Sequence, residues 1–238
     1  MALGSQPRWT VRSADAQIGI DAGLREYMLR VYNYMASGLA LTGIVAYVAA
    51  ASGFYMSIAR TPLIWLVILA PLGLVMLMSF GVQKMQASTL QLVFWGYSAL
   101  MGLSMAVLFI AFTGTSIARV FFITAGTFAA MSLYGYSTRR DLSQYGSFLF
   151  MGLIGIIIAS LVNIFVGSTA LQFAISVIGV IVFTGLTAWD TQQIKEMYYE
   201  ADGAEIASKK AIMGALRLYL DFINLFMMLM QLMGTRRD

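Results

Sequence analysis

The chain has 238 residues, 60% of them hydrophobic and 11% charged, with a mean hydropathy of +0.79 and a formal net charge of +4. Soluble domains carry about 25% charged residues, whereas the apolar residues here fall in blocks of about twenty, the length that crosses a bilayer as a helix; the sequence is that of a membrane protein. It has no cysteine and no histidine, which excludes disulfide frameworks, thiolate nucleophiles, zinc centres and histidine acid–base catalysis, and its basic residues stand in short loops between apolar blocks, a topological pattern rather than a nucleic-acid footprint.

Residues 1–26 alternate Arg8, Arg12 and Arg25 with Asp15, Asp21 and Glu26 and contain no apolar run like that of a signal peptide. They are expected to form a cytoplasmic tail ahead of a transmembrane domain over 27–238. Apolar runs then predict seven helices, at 27–51, 62–80, 90–112, 117–136, 145–166, 170–189 and 211–233. Pro62 suits a helix start, Pro71 is expected to kink the second span, and the links "TGTS" and "VGST" are turn chemistry that makes neighbouring helices antiparallel. Small residues let helices approach closely in lipid, so tight packing is expected at Ala36, Ala40, Gly43, Ala46 and Ala50 of the first span and at Gly152 and Gly155 of the fifth. The 17 methionines read as adaptable packing rather than a copper site.

Direction follows from Lys and Arg. The tail and the even-numbered loops hold Arg8, Arg12, Arg25, Arg30, Lys84, Arg139, Arg140, Lys195, Lys209 and Lys210, against Arg60, Arg119, Arg236 and Arg237 on the other side. The positive-inside rule places the N-terminus in the cytoplasm and, with seven spans, the C-terminus across the membrane.

In the seventh span Gly214, Arg217, Asp221, Asn224, Met228 and Gln231 recur at steps of three and four and share one face. An ionised Asp near mid-membrane costs about 3 kcal/mol even on lenient scales, so this stripe must face the bundle or a wet cavity. Asp190 closes the sixth apolar run, just before "TQQIKEMYYE". A carboxylate at a helix C-terminus meets the negative end of the macrodipole, so either the helix continues to about residue 199 or Asp190 has a cationic or proton-sharing partner. Two readings of these residues stay open. In one, Asp221 pairs with Arg217 one turn earlier and Asp190 is a solvated acid near Lys195. In the other, Asp190 and Asp221 share a proton and titrate as a unit, a pH-sensitive latch that Arg217 would tune. The latter requires a shifted helix start or tilt to absorb an axial offset of about 15 Å. Carboxylates also suit Ca²⁺, with carbonyls, Asn224 or water completing its about six to eight oxygens.

The motifs "GLTAWDTQQIK" and "LYLDFINLF", supported by "TRRDLS" at 138–143 and "NIF" at 163–165, resemble those of the Bax inhibitor-1 family, in its bacterial branch. The resemblance covers nearly all the chain from about residue 27. It implies an all-α membrane protein of seven transmembrane helices, the last one central and wrapped by the other six, located in a bacterial inner membrane. It further implies a pH-sensitive calcium leak in which Asp190 and Asp221 match the family's paired aspartates. Some members carry an arginine near the end of the second helix that binds one of these acids; here that stretch reads "SFGVQKMQAS", with Lys84 as the only nearby cation. Bacterial relatives also include an inhibitor of a membrane-bound AAA protease, so the alternative expectation is a regulator that docks such a partner through its tail. The frames "WD" and "YLD", with no proline after Pro71, depart from those of intramembrane aspartyl proteases, and no enzyme and no cofactor are expected.

Overall fold

The structure, a computed structural model, describes residues 8–237, and side chains from residue 22 onward. Among the described residues are eight helices: α1 (Arg8–Ala51), α2 (Phe54–Ala59), α3 (Leu63–Gly81), α4 (Ala87–Ala111), α5 (Gly114–Ser137), α6 (Ser143–Val166), α7 (Thr169–Glu196) and α8 (Ala204–Met233). All but the short α2, which the sequence reading did not separate, are long and apolar enough to cross a membrane, α1 through its part Ala22–Ala51. The fold is therefore an all-α bundle of seven spans.

Two boundaries differ from expectation in a way that matters for the site. The sixth span does not stop at Trp189: α7 runs to Glu196, with Lys195 in its last turn, where a cation suits the negative end of the helix dipole. The seventh begins at Ala204 rather than 211. The polar residues 190–196 and 204–210 continue the two helices beyond their apolar runs, and 197–203 form the turn between them. The turn between them is closed by Lys210, which donates to the Met197 carbonyl at 2.9 Å and pairs with Asp202. At the other end of the bundle the "VGST" link folds as a cap on both sides. Gly167 ends α6 at φ 64, and Ser168 Oγ accepts from the Leu171 amide at 3.2 Å to start α7.

α8 is the most buried of the seven spans and α6 the least. It packs on α1, α4, α5 and α7, while α3 lies against α4 and α6 against α7. Leu, Ile and Phe side chains exposed along α3 and α6, such as Leu66, Leu69, Phe148 and Ile158, supply the face that lipid covers. A polar tie crosses the centre. Thr42 Oγ1 donates to the Ser98 carbonyl (2.9 Å) and accepts from the Tyr219 hydroxyl (2.6 Å), joining α1, α4 and α8. Each group is satisfied within the bundle, as a polar side chain in hydrocarbon must be.

Pro71 lies inside α3. Lacking an N–H, it leaves the Val67 carbonyl without its helical donor. Ser104 of α4 supplies the replacement, its hydroxyl lying 2.7 Å from Val67 O.

The small residues named from sequence are not where backbones come closest. A Cβ added at Gly43 or Gly155 would meet nothing within 4 Å, and Ala36 and Ala40 are exposed; Gly152 meets a Val182 methyl, and only Ala46 of the first-span set is well buried. Small residues facing lipid look the same in sequence as small residues facing a helix. The close approaches fall at Gly102, where a Cβ would stand 2.5 Å from the Thr42 carbonyl, and at Gly135, where it would stand 2.2 Å from the Ala188 carbonyl. Both obstacles are backbone and cannot swing aside. We expect Gly135→Ala to push α5 off α7 and lower unfolding stability in detergent by about 1–3 kcal/mol. Gly155→Ala should change it by less than about 0.5 kcal/mol. Thermal melts of the two variants check the contrast.

Candidate functional site

The longer α7 and earlier α8 set the register of this antiparallel pair. With Lys210 level with Met197 through its hydrogen bond, seven residues along each helix bring Arg217 level with Asp190, and Asp221 lies one turn, about 6 Å, deeper. The offset that the sequence left open is absorbed by the shifted helix start. Asp190 and Asp221 are 9% and 5% exposed, and both line one cavity together with Arg217.

Arg217 departs from the one-helix pairing. Its Nη1 lies 3.8 Å from Asp190 Oδ1 on α7, and among the described residues this is its one ion pair within 4.0 Å. The i, i+4 spacing to Asp221 gave the wrong partner because the proximity of α7 outweighs it. Asp190 is buried rather than solvated, and Lys195 turns away to the Tyr136 carbonyl at 2.9 Å. At 3.8 Å the Arg217–Asp190 contact is charge attraction rather than a hydrogen bond. Asn224 lies on the same face of α8 but donates to its own Leu220 carbonyl at 2.8 Å, which leaves its side-chain oxygen as the group it can offer.

The acids open on a cavity of about 780 Å³. Its inner wall is Tyr97, Asp190, Arg217, Asp221 and Asn224, and its outer wall comes from α3 and α6 through residues such as Leu72 and Leu153. Asp221 Oδ2, the Tyr97 hydroxyl and Trp189 Nε1 are buried without a protein partner, and all three residues line this space. Nothing in the sequence singles out Tyr97, an isolated tyrosine in an apolar helix; Trp189 is visible there only as part of the "WD" frame. A second cavity, also about 780 Å³, lies toward the Lys209 and Lys210 end of α8 and includes Gln83. Val75, Arg217 and Leu220 line both, so these three side chains form the partition between the acids and that end of the bundle.

The deep end of the polar stripe is a separate network. Gln231 Oε1 accepts from Ser176 at 2.8 Å and also from Gln172, and Gln172 Oε1 accepts from Asn163 Nδ2 at 3.1 Å. The Asn of "NIF" is thus a structural link between α6, α7 and α8. Among the described residues no group of three or more acidic side chains gathers as a ready-made metal site.

A seven-span helical membrane protein with two buried carboxyls on adjoining helices is the class defined by this fold and site. The sequence model described as "Inhibitor of apoptosis-promoting Bax1" matches residues 24–238, and the chain belongs to this Bax inhibitor-1 family. The Rickettsia prowazekii protein RP147 is 53% identical over 219 residues, 92% of this chain and 93% of that protein. Inner membrane protein YbhL of Escherichia coli K12 is 49% identical over 228 residues, 94% of this chain and 97% of that protein. A Deinococcus radiodurans protein is 43% identical over 218 residues, 90% and 92% of the two chains.

The Gln231 network is structural and remote from the acids. Gln231→Leu should lower thermal stability in detergent by about 0.6–1.7 kcal/mol, from the average to the largest interhelical hydrogen bond measured in membranes, and leave the surroundings of Asp190 and Asp221 unchanged. A carboxyl infrared band from the pair that is unchanged in this variant and lost in Asp221→Asn checks the separation.

Proposed function

We propose that the protein is a pH-sensitive calcium leak of a bacterial inner membrane, gated by the shared proton of Asp190 and Asp221. The observation that carries the reading is two buried carboxyls on adjoining helices facing one cavity, beside a partition that separates them from one end of the bundle. While the proton is shared, it ties α7 to α8. When it is lost, two negative charges face each other in a low-dielectric site, where their repulsion is several-fold stronger than in water. The two helices then separate next to Val75, Arg217 and Leu220, and the cavities join. The same loss of a proton leaves carboxylate oxygens for a divalent cation, with the Asn224 oxygen and water completing its shell.

The Lys and Arg excess in and beside the loops at that end, from Lys84, Arg139, Arg140, Lys195, Lys209 and Lys210, supports a cytoplasmic location for that end of the bundle, and with it the N-terminus. The C-terminus then lies on the opposite side. Because the chain has no cysteine, single cysteines introduced in these loops and labelled from one side of the membrane test the orientation directly.

Calcium entry into liposomes holding the purified protein tests the leak. The flux is expected to rise with pH across neutrality, about tenfold per unit below its midpoint, since the ionised fraction does so. Asp221→Asn removes the like-charge repulsion and should abolish the pH response. Arg217 favours the ionised form of the pair, so Arg217→Gln should move the midpoint to higher pH, by about one unit for a cation at this distance and exposure. A flux no greater than that of protein-free vesicles at every pH would reject the leak. The alternative is then a regulator of a membrane-bound AAA protease, a role that would survive Asp→Asn at both positions and depend on residues 1–26.

A further inference from the structure

A groove of about 630 Å³ runs between α1 and α5 on the far side of the bundle from the acid cavity. The two helices pack on α7 and α8 rather than on each other, and Ala36 and Ala129, both exposed, leave the gap open. From Arg25 at one end to Leu39 at the other, the α1 wall spans fifteen residues, about 21 Å of helix. That exceeds half of a hydrocarbon core about 30 Å thick. The groove therefore crosses one leaflet from its surface to its middle.

Its floor is polar but closed to ligands. Tyr32 donates to Ser132 (2.7 Å), Ser132 to Thr191 (3.0 Å) and Thr191 to the Thr187 carbonyl (2.7 Å), so every hydroxyl proton in the series is used. The walls are Leu29, Met35, Leu39, Phe128 and Leu133, and methionine adapts to a flexible guest. Only the outer end carries charge. Arg25 lines it together with Tyr136. Lys195 stands over the Tyr136 ring at 5.4 Å and spends one of its three N–H donors on the Tyr136 carbonyl. Glu26, the acid next to Arg25 in sequence, is engaged by Arg30.

We propose that this groove seats one acyl chain of an anionic phospholipid, with the headgroup phosphate held between Arg25 and Lys195. The apolar walls and satisfied floor exclude a polar body, the length fits a chain in one leaflet, and the two cations favour a headgroup with net negative charge over a zwitterion that brings its own ammonium.

Native mass spectrometry of the full chain in mild detergent, titrated with phosphatidylglycerol or phosphatidylcholine, tests the site without reference to ion flux. The unmodified protein should retain one phosphatidylglycerol with a preference of about tenfold or more, about fivefold for each cation. Ala129→Trp fills the groove and should remove retention of both lipids; Ala36→Trp fills it from the opposite wall and serves if the first variant does not fold. Arg25→Gln with Lys195→Gln should remove the preference but keep the chain. Unchanged retention in a folded groove-filling variant overturns the site, and equal retention of the two lipids by the unmodified protein overturns the headgroup assignment.

Discussion

Charge in a medium of low dielectric constant is the constraint around which this molecule is organised. Asp190, Asp221 and Arg217 are three ionisable groups brought together among apolar helices, and each would be costly alone. Together they compensate one another: all three share one cavity, and the guanidinium faces Asp190, the outer of the two acids. The arrangement works only if α7 and α8 are antiparallel, adjacent and in one register. The extension of α7 to Glu196, the early start of α8 at Ala204 and the Lys210–Met197–Asp202 closure between them serve that register.

The placement of α8 follows. A helix carrying an aspartate, an arginine, an asparagine and a glutamine on one face has few neighbours that can receive them, and α7 meets it with Asp190, Gln172 and Ser176. The opposite side of α8 carries Tyr219, which finds Thr42 and through it the Ser98 carbonyl. Burial on several sides is thus what its polar residues require, while α3 and α6, with nothing comparable to hide, are left for lipid. Where helices must come nearer than side chains allow, Gly102 and Gly135 face carbonyl oxygens of the neighbouring helix.

Much of this was legible in the sequence, for identifiable reasons. Apolar runs of membrane length are an unambiguous signal, so all seven spans could be read. Acids in such runs are rare enough that Asp190 and Asp221 stood out, and the three-and-four spacing gave the polar face of α8. The helix ends between residues 190 and 210 were only partly legible: Asp190 argued for continuation to about residue 199, but a helix that emerges into water stops looking apolar before it stops being helical. The partner of Arg217 was missed because sequence displays neighbours on the same helix and hides those on the next. Tyr97 and Ser104 were missed for the same reason: a lone hydroxyl in an apolar helix gains meaning only from what faces it, an unsatisfied carboxyl oxygen in one cavity or a proline-freed carbonyl.

That carbonyl has a consequence for how the chain can change over time. Ser104 satisfies Val67 only because Pro71 cannot, and the Leu100 carbonyl at 3.1 Å offers the hydroxyl a second acceptor on its own helix. If Pro71 is replaced first, its successor brings an N–H that closes the α3 bond, Ser104 falls back on Leu100, and the serine becomes free to drift. If Ser104 is lost first, a buried carbonyl is stranded at once. The two positions therefore have a preferred order of substitution, and the path that avoids an unstable intermediate passes through loss of the proline.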